Sequence, residues 1–518
     1  MSATTLLREA GLALWQRGER ALDAVSGSAL NPLRHLGALG FLCFWLLAAS
    51  GVVLYAVLDT SVAGAYRSIA ELSHQPWYLG GWLRSLHRYA ADAFVVFMLA
   101  HLLREWLFGR CHGFRRFSWL TGVPLLLFAF VSAIGGFWLN WDRLGQFSAI
   151  ATAEWLDALP FFASPLTRNF LDVASVGDRL FSLFVFIHVG VPLLLVFGLW
   201  FHIQRLARAE VFPPRALAAG VTLALLALAL ALPVADQGPA DLAVAPTTVA
   251  LDWWLLFVHP LMYASSAGAV WLLVGATLLL LVALPWLRRP APAPAVARVD
   301  AANCNGCRRC FDDCPYAAVT MVPHPNGRVA RQLAQVNAEL CASCGICVGS
   351  CPSATPFRSA AELVTGIDMP QQPLNGIREQ MERQLAALEG DDRILVIGCE
   401  RGARVAALDG AAVTSLSLIC TGMLPPSFVE YALRGGAAGV LVTGCREGAC
   451  EFRLGTQWTQ QRLLGEREPR LRASVPRERI ELVWADAGDE PALIDALNAL
   501  RRRVAAAPQP AAMSLQHG

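Results

Sequence analysis

The sequence predicts a multidomain chain: an all-α bundle of six transmembrane helices, then a small α+β domain, then an α/β domain toward the C-terminus. Three observations carry this. Six apolar runs long enough to span a bilayer lie within the first 287 residues. Cysteines gather in tight clusters after residue 303. From residue 391, strand-like apolar runs alternate with helical stretches. The 518 residues leave room for three or more domains, and 55% apolar and 16% charged residues with a mean hydropathy of +0.45 mark a chain more apolar than a soluble average. All 42 basic residues are arginine, a compositional bias of the source, and the net charge of +2 carries no indication of nucleic acid.

Residues 1–30 read as an amphipathic segment carrying Arg8, Glu9, Arg17, Glu19 and Arg20, without the apolar core of a cleaved signal peptide. Residues 31–287 hold the apolar runs, near 36–57, 85–108, 118–139, 180–203, 216–235 and 265–286. Lipid offers no partners for open backbone, so each is expected as a helix. Six spans put both termini on one side. Arginines cluster on that side: Arg8, Arg17, Arg20 and Arg34, then Arg104, Arg110, Arg115 and Arg116, then Arg205, Arg208 and Arg215, then Arg288 and Arg289. The opposite side offers Arg67, Arg84, Arg143, Arg168 and Arg179. The positive-inside rule places both termini, and everything after residue 287, in the cytoplasm of a bacterial-type inner membrane.

Two histidine pairs share one interval: His87 and His101 lie fourteen positions apart in the second run, and His188 and His202 repeat this in the fourth. Fourteen residues are nearly four helical turns, so each pair shares a helix face, with about 21 Å between its members. That reaches most of the way across a hydrocarbon core of roughly 30 Å. Ionisable groups at membrane depth are costly and usually functional, and four imidazoles facing each other across two helices would hold two haems. Gly37 and Gly51 on the first run, and Gly122 and Gly136 on the third, repeat the same interval, as a haem wedged between backbones requires. Ordinary small-residue helix packing is the alternative for either glycine pair taken alone.

On these residues the chain resembles the cytochrome b of quinol:cytochrome c reductases, over about residues 30–205 and more loosely to 287. The resemblance implies two b haems, with His87 and His188 at the outer one and His101 and His202 at the inner one. It also implies haem-propionate roles for Arg84 and Arg104, for which interfacial anchoring is the alternative. The stretch LNWDRLGQFSAIATAEWLDALP at 139–160 is similar to the helical cap of the family's outer quinol site. Asp252, Trp253 and Trp254 stand where the family has Pro-Glu-Trp-Tyr, with Asp in place of Glu and the proline displaced to Pro246. The resemblance makes Asp252 a candidate catalytic carboxylate; a helix cap is the alternative. Trp253 and Trp254 read as aromatic-belt residues. His35, His74, His112 and His259 fall outside the paired intervals, near predicted membrane boundaries. His35 and His112 are compatible with an inner quinone pocket or with interfacial placement.

Residues 288–300, rich in proline and alanine, read as a linker. Cys304, Cys307, Cys310 and Cys314-Pro315 are then followed by Cys341, Cys344, Cys347 and Cys351-Pro352, the bacterial two-cluster ferredoxin spacing written twice, within a domain at 301–360. In that arrangement the distant fourth cysteine ligates the other cluster. Cys304, Cys307, Cys310 and Cys351 are expected at one [4Fe–4S], and Cys341, Cys344, Cys347 and Cys314 at the second. Zinc sites use cysteine pairs instead of a triplet plus Cys-Pro. Cys43 and Cys111 stand alone and read as small buried apolar residues.

Residues 361–390 read as a second linker, 391–506 as the α/β domain, and 507–518 as a disordered tail. Strands are predicted at 394–399, 439–445 and 480–485, with helices around 425–435 and 491–504. Cys399, Cys420 and Cys445 end or follow apolar runs, with Cys450 close behind, and cysteines at strand ends can converge on one rim of a sheet. Buried structural thiols are the alternative. The region resembles the delta subunit of methyl-viologen-reducing hydrogenases through GCERG at 398–402, Cys420 and GCREGAC at 444–450. The resemblance implies a [2Fe–2S] cluster on these four cysteines and a heterodisulfide-reductase-like flavoprotein as partner. Gly402 stands where that family usually has a further cysteine.

No nucleotide-binding fingerprint accompanies these elements; the Gly-rich stretch from Arg434 to Gly439 follows a helix and does not open one. The expected function is a membrane electron-transfer subunit linking the quinone/quinol pool, through two b haems and iron–sulfur clusters, to a cytoplasmic flavin oxidoreductase. The alternatives are a non-catalytic membrane anchor or redox sensor, and a membrane subunit of a hydrogenase or formate dehydrogenase. Haems stacked along the membrane normal let an electron cross a field worth about 2.3 kcal/mol per charge per 100 mV, so inward flow from quinol is weighed beside outward flow from the flavin. Expected partners are membrane lipid, quinone or quinol, the flavoprotein and, as a homodimer, a second copy of the chain; nucleic acid is not among them.

Overall fold

The computed structural model describes residues 3–75, 79–161, 165–171, 173, 175–207, 209–244, 248–287, 295–326, 331–358, 362–446 and 448–506. Pro246, Arg208, Arg288, Arg289, the side chain of Arg168, linker residues 288–294 and the tail 507–518 lie outside that set. The chain forms two compact units, residues 1–204 with 209–289, and 205–208 with 290–518.

Among its described residues, the regular elements of the first unit are helices. Its elements are α1 (Ala3–Ser26), α2 (Leu36–Val57), α3 (Ala65–Ser73), α4 (Leu79–Leu107), α5 (Arg116–Asn140), α6 (Arg143–Asp157), α7 (Leu166–Phe170), α8 (Asp178–Ile203), α9 (Arg215–Ala231), α10 (Val258–Ala264) and α11 (Ala267–Ala283). Among the described residues, four helical stretches are long and apolar enough to cross a membrane: Leu36–Val57, Gly113–Asn140, Asp178–Ile203 and Ala267–Trp286. The second and fifth predicted spans are also helices. However, α4 is diluted by Arg84, Arg88, Asp92 and Arg104, and α9 is apolar but only 17 residues long. Helices α2 and α4 pack closely against each other, as do α5 and α8. Asp142 caps α6, its carboxylate accepting from the Gly145 N–H at 2.8 Å.

In the second unit, β1 (Arg298–Val299) pairs antiparallel with β4 (Ile367–Asp368), and β2 (Val319–Pro323) with β3 (Gln332–Val336). Short helices α12 (Arg309–Asp313) and α13 (Ile346–Gly349) each start inside a cysteine run. The segment expected as a linker at 361–390 is instead folded: it supplies β4 and α14 (Leu374–Ala386), whose Leu374, Ile377, Met381 and Leu385 are buried at helical spacing. A four-stranded parallel sheet follows, from β5 (Ile394–Cys399), β6 (Val413–Leu418), β7 (Gly439–Gly444) and β8 (Ile480–Trp484), in the order β6-β5-β7-β8. Helices α15 (Ser427–Arg434), α16 (Gly455–Leu464) and α17 (Glu490–Ala506) accompany it. Alternation along β5 divides the core: Ile394 and Val396 join Leu493, Leu497 and Leu500 of α17, while Leu395 and Ile397 join Phe428 and Val429 of α15. That second cluster continues into the ferredoxin-like part through Ala334, Val348 and Ile367, so the two parts share one core.

Candidate metal centres

Each of the four predicted glycines faces one of the four predicted histidines. A Cβ on Gly37 would lie 3.5 Å from His101 Cε1, on Gly51 3.2 Å from His87 Cε1, on Gly122 3.2 Å from His202 Cε1, and on Gly136 3.0 Å from His188 Cε1. The α2–α4 pair and the α5–α8 pair thus carry matched glycine–histidine contacts at two levels. Across the bundle the His87 and His188 rings lie 6.3 Å apart between centroids. Once the radius of each ring is subtracted, that leaves room for one metal with two nitrogen bonds of about 2 Å. His101 lies within electrostatic range of His202.

Hydrogen bonds orient three of these imidazoles. The Ser50 hydroxyl donates to Leu46 O at 2.6 Å and lies 2.9 Å from His87 Nδ1, so it accepts the Nδ1–H. Thr121 repeats this, donating to Phe117 O at 2.8 Å and accepting from His202 Nδ1 at 3.1 Å. His188 Nδ1 donates to Ser132 O at 2.9 Å. In each case Nε2 is left as the free lone pair, the state a ligating histidine needs. Sequence reasoning missed Ser50, Thr121 and Ser132; the two hydroxyls carried a signal, since each immediately precedes a predicted glycine.

The predicted arginines are engaged with protein. Arg84 donates to Ser73 Oγ at 3.2 Å. Buried Arg104 bonds Glu19 of α1 at 3.1 Å and lies 3.6 Å from Glu105. Asp252 caps a turn: its Oδ1 accepts from the N–H of Trp254 at 3.1 Å and of Leu255 at 2.8 Å, and its Oδ2 is ion-paired with Arg88. Trp253 and Trp254 are exposed. His35, His74 and His112 each donate a ring N–H to a backbone carbonyl, of Ala29, Ala70 and Pro285. Buried His259 meets the Thr152 hydroxyl at 3.0 Å.

In the second unit two cavities receive the cysteines as the spacing predicts. Cys304, Cys307, Cys310 and Cys351 line one, and Cys314, Cys341, Cys344 and Cys347 line the other. Gly306, at φ +70°, turns the first loop where a Cβ would run into the Gln332 backbone. Among the described residues no three such side chains close on a single metal ion; each set surrounds a volume, which suits a cluster. Burial pushes the Cys310 thiol up to about 12 and raises Cys344 and Cys347 as well. Sulfurs in such surroundings need a cation to hold them as thiolates.

The parallel sheet gathers the last four cysteines. Cys399 ends β5, Cys420 follows β6 and Cys445 follows β7, three adjacent strands whose carboxyl ends share one rim. Cys399 Sγ lies 3.9 Å from Cys445 Sγ, and Cys450 is within hydrogen-bond reach of both Cys420 and Cys445. All four are buried, and the Cys420 and Cys445 thiols hold that of Cys450 well down. Gly402 is closely packed: a Cβ there would lie 3.0 Å from Ala485 O and 3.1 Å from the Gly444 carbonyl carbon, so a side chain at this position requires the neighbouring backbone to shift by a few tenths of an ångström.

Comparison with known families agrees with this division. Residues 21–209 match Cytochrome b/b6/petB, 303–355 match the 4Fe-4S dicluster domain, and 406–507 match the methyl-viologen-reducing hydrogenase delta subunit. The chain is a fusion of these three family segments. The cytochrome b segment contains all four paired histidines and the dicluster segment all eight ferredoxin-type cysteines, whereas Cys399 lies just ahead of the delta-subunit match. A solved structure described as "Hyperthermophilic respiratory Complex III" is similar over 49% of this chain and 75% of that chain, at 20% identity and a TM-score of 0.39. With apolar spanning helices, a cytochrome b segment and an iron–sulfur segment, this fusion is an integral membrane electron-transfer protein.

Proposed function

We propose that this protein links the membrane quinone/quinol pool to a cytoplasmic flavin oxidoreductase of the heterodisulfide-reductase-like type. The observation that carries the reading is the fourfold glycine–histidine contact, at two levels in each of two helix pairs. His87 with His188, and His101 with His202, would hold two b haems in a bundle of six membrane-crossing helices. The two ferredoxin-type cysteine sets would hold [4Fe–4S] clusters, and Cys399, Cys420, Cys445 and Cys450 a [2Fe–2S] cluster. When bound, these groups supply one-electron chemistry. Ser50, Thr121 and the Ser132 carbonyl fix the imidazole tautomers, and the four glycines keep the space beside each ring clear. The arginine distribution supports placing both termini and the iron–sulfur domains in the cytoplasm, and the delta-subunit segment supports docking to the flavoprotein through the C-terminal domain.

Anaerobic mixing of the purified full-length protein with a short-chain quinol, followed optically and by EPR with and without an outer-site inhibitor, tests this. Inhibitor-sensitive haem reduction is expected. Haems that dithionite reduces but quinol does not would overturn the quinol link.

A further inference from the structure

A single buried arginine ties the dicluster part to the four-cysteine site. Arg462 of α16 is completely buried. Its Nη1 donates to Gly422 O at 2.8 Å, and its Nη2 reaches Asp313 Oδ2 at 2.6 Å, Ser350 Oγ at 2.8 Å and Ile346 O at 3.4 Å. These partners flank cysteines from both sites. Asp313 precedes Cys314, Ile346 lies between Cys344 and Cys347, Ser350 precedes Cys351, and Gly422 lies two residues after Cys420. The backbones are close as well, since a Cβ on Gly349 would run into the Gly422 carbonyl oxygen and lie 3.1 Å from the Met423 carbonyl carbon.

Asp313 also accepts from Arg467 on its other oxygen, and Arg467 in turn lies over the Trp458 ring at 3.5 Å. Trp458 Nε1 donates to Asp313 O at 3.2 Å. Two guanidinium groups on one carboxylate leave one positive charge, in a setting buried at Arg462 and Asp313 and partly open to solvent at Arg467. A tie needed only for packing would be served as well by apolar side chains, because burying ions costs more than it returns unless every partner is supplied. The excess charge therefore calls for a negative counterpart nearby, and reduction of an iron–sulfur centre adds one.

Resting on the reading of both cysteine sets as cluster ligands, we infer that Arg462 is a positioning residue. It holds the Cys314/Cys341/Cys344/Cys347 site against the Cys399/Cys420/Cys445/Cys450 site, and the net charge it shares with Arg467 raises the reduction potential of both.

The test is an EPR-monitored redox titration of the full-length protein with iron and sulfide analysis, comparing wild type with Arg462→Gln, Arg467→Gln and Arg462→Lys. Both glutamine variants are expected to keep wild-type iron while shifting reduction of the neighbouring centres about tenfold toward the oxidised form, a lowering of about 59 mV for one electron. Arg462→Lys, which keeps the charge, is expected to restore most of it. Arg467 is partly exposed, with 18% of its side chain accessible, so Arg467→Gln decides alone if Arg462→Gln does not assemble. Full iron content with unshifted potentials would overturn the inference while leaving the cluster reading intact. A wild-type protein with iron for two cubanes and no third EPR signal would refute the cluster reading itself.

Discussion

Gly136→Val tests the haem cradle at its tightest point. A Cβ at position 136 lies 3.0 Å from His188 Cε1 and 3.4 Å from His188 Nδ1, closer than ordinary carbon contacts, and valine adds two methyl groups beyond it. The ring must give way, yet its Nδ1 is tied to Ser132 O at 2.9 Å. Overpacking a filled site of this kind costs about 1–3 kcal/mol, and at about 1.4 kcal/mol per decade that weakens haem retention by roughly 5- to 150-fold. Helix propensity acts in the opposite sense, because valine is a better helix former than glycine by a few tenths of a kcal/mol. The bundle should therefore remain folded while one haem is lost. Gly190→Val is the control: it sits on the same helix as His188, with nothing within 4 Å of its Cβ position. Haem-to-protein ratio and optical redox titration read the outcome. Gly136→Val retaining two haems at wild-type potentials, or Gly190→Val losing one as well, would refute the argument that the fourteen-residue glycine interval exists for the haems.

Thr121→Val removes the acceptor for His202 Nδ1–H without changing side-chain shape, and losing the hydrogen bond that orients a ligating histidine typically costs about 10–100-fold in metal affinity. The less basic imidazole should also raise the midpoint of one haem in a redox titration, while Thr121→Ser should behave as wild type. Cys445→Ser takes one member from the rim of the parallel sheet; EPR should lose any [2Fe–2S] signal while both cubane signals persist, because the ferredoxin-type cysteines line separate cavities.

What was legible in the sequence followed from local geometry. Fourteen residues on one helix return to the same face whatever surrounds it, so the histidine and glycine positions could be read off as intervals, and the cysteine triplets could be read off because close spacing in one short loop brings the thiols together. Strands β5, β7 and β8 were visible as apolar runs because the first two are buried along their whole length. Strand β6 escaped: Val413–Leu418 reads VTSLSL, whose hydroxyl residues break the apolar run, and it lies at the sheet edge, where fewer neighbours dictate its composition. Helix α14 was missed although Leu374, Ile377, Met381 and Leu385 carry a helical period, because polar residues outnumber apolar ones between two domains already assigned.

Arg462 shows a different limit. It lies in GTQWTQQRLL, which reads as a polar surface helix, and its main anionic partner, Asp313, is 149 residues away. Nothing local distinguishes a buried guanidinium from an exposed one, since the side chain is long enough to serve either position. Only the fold brings Asp313, Ser350 and Gly422 to one place. The ferredoxin-type cysteine sets could be read because one stretch of backbone supplies three of each four, whereas the residue that joins such a set to the cysteines at the sheet rim can be recognised only once both are in place.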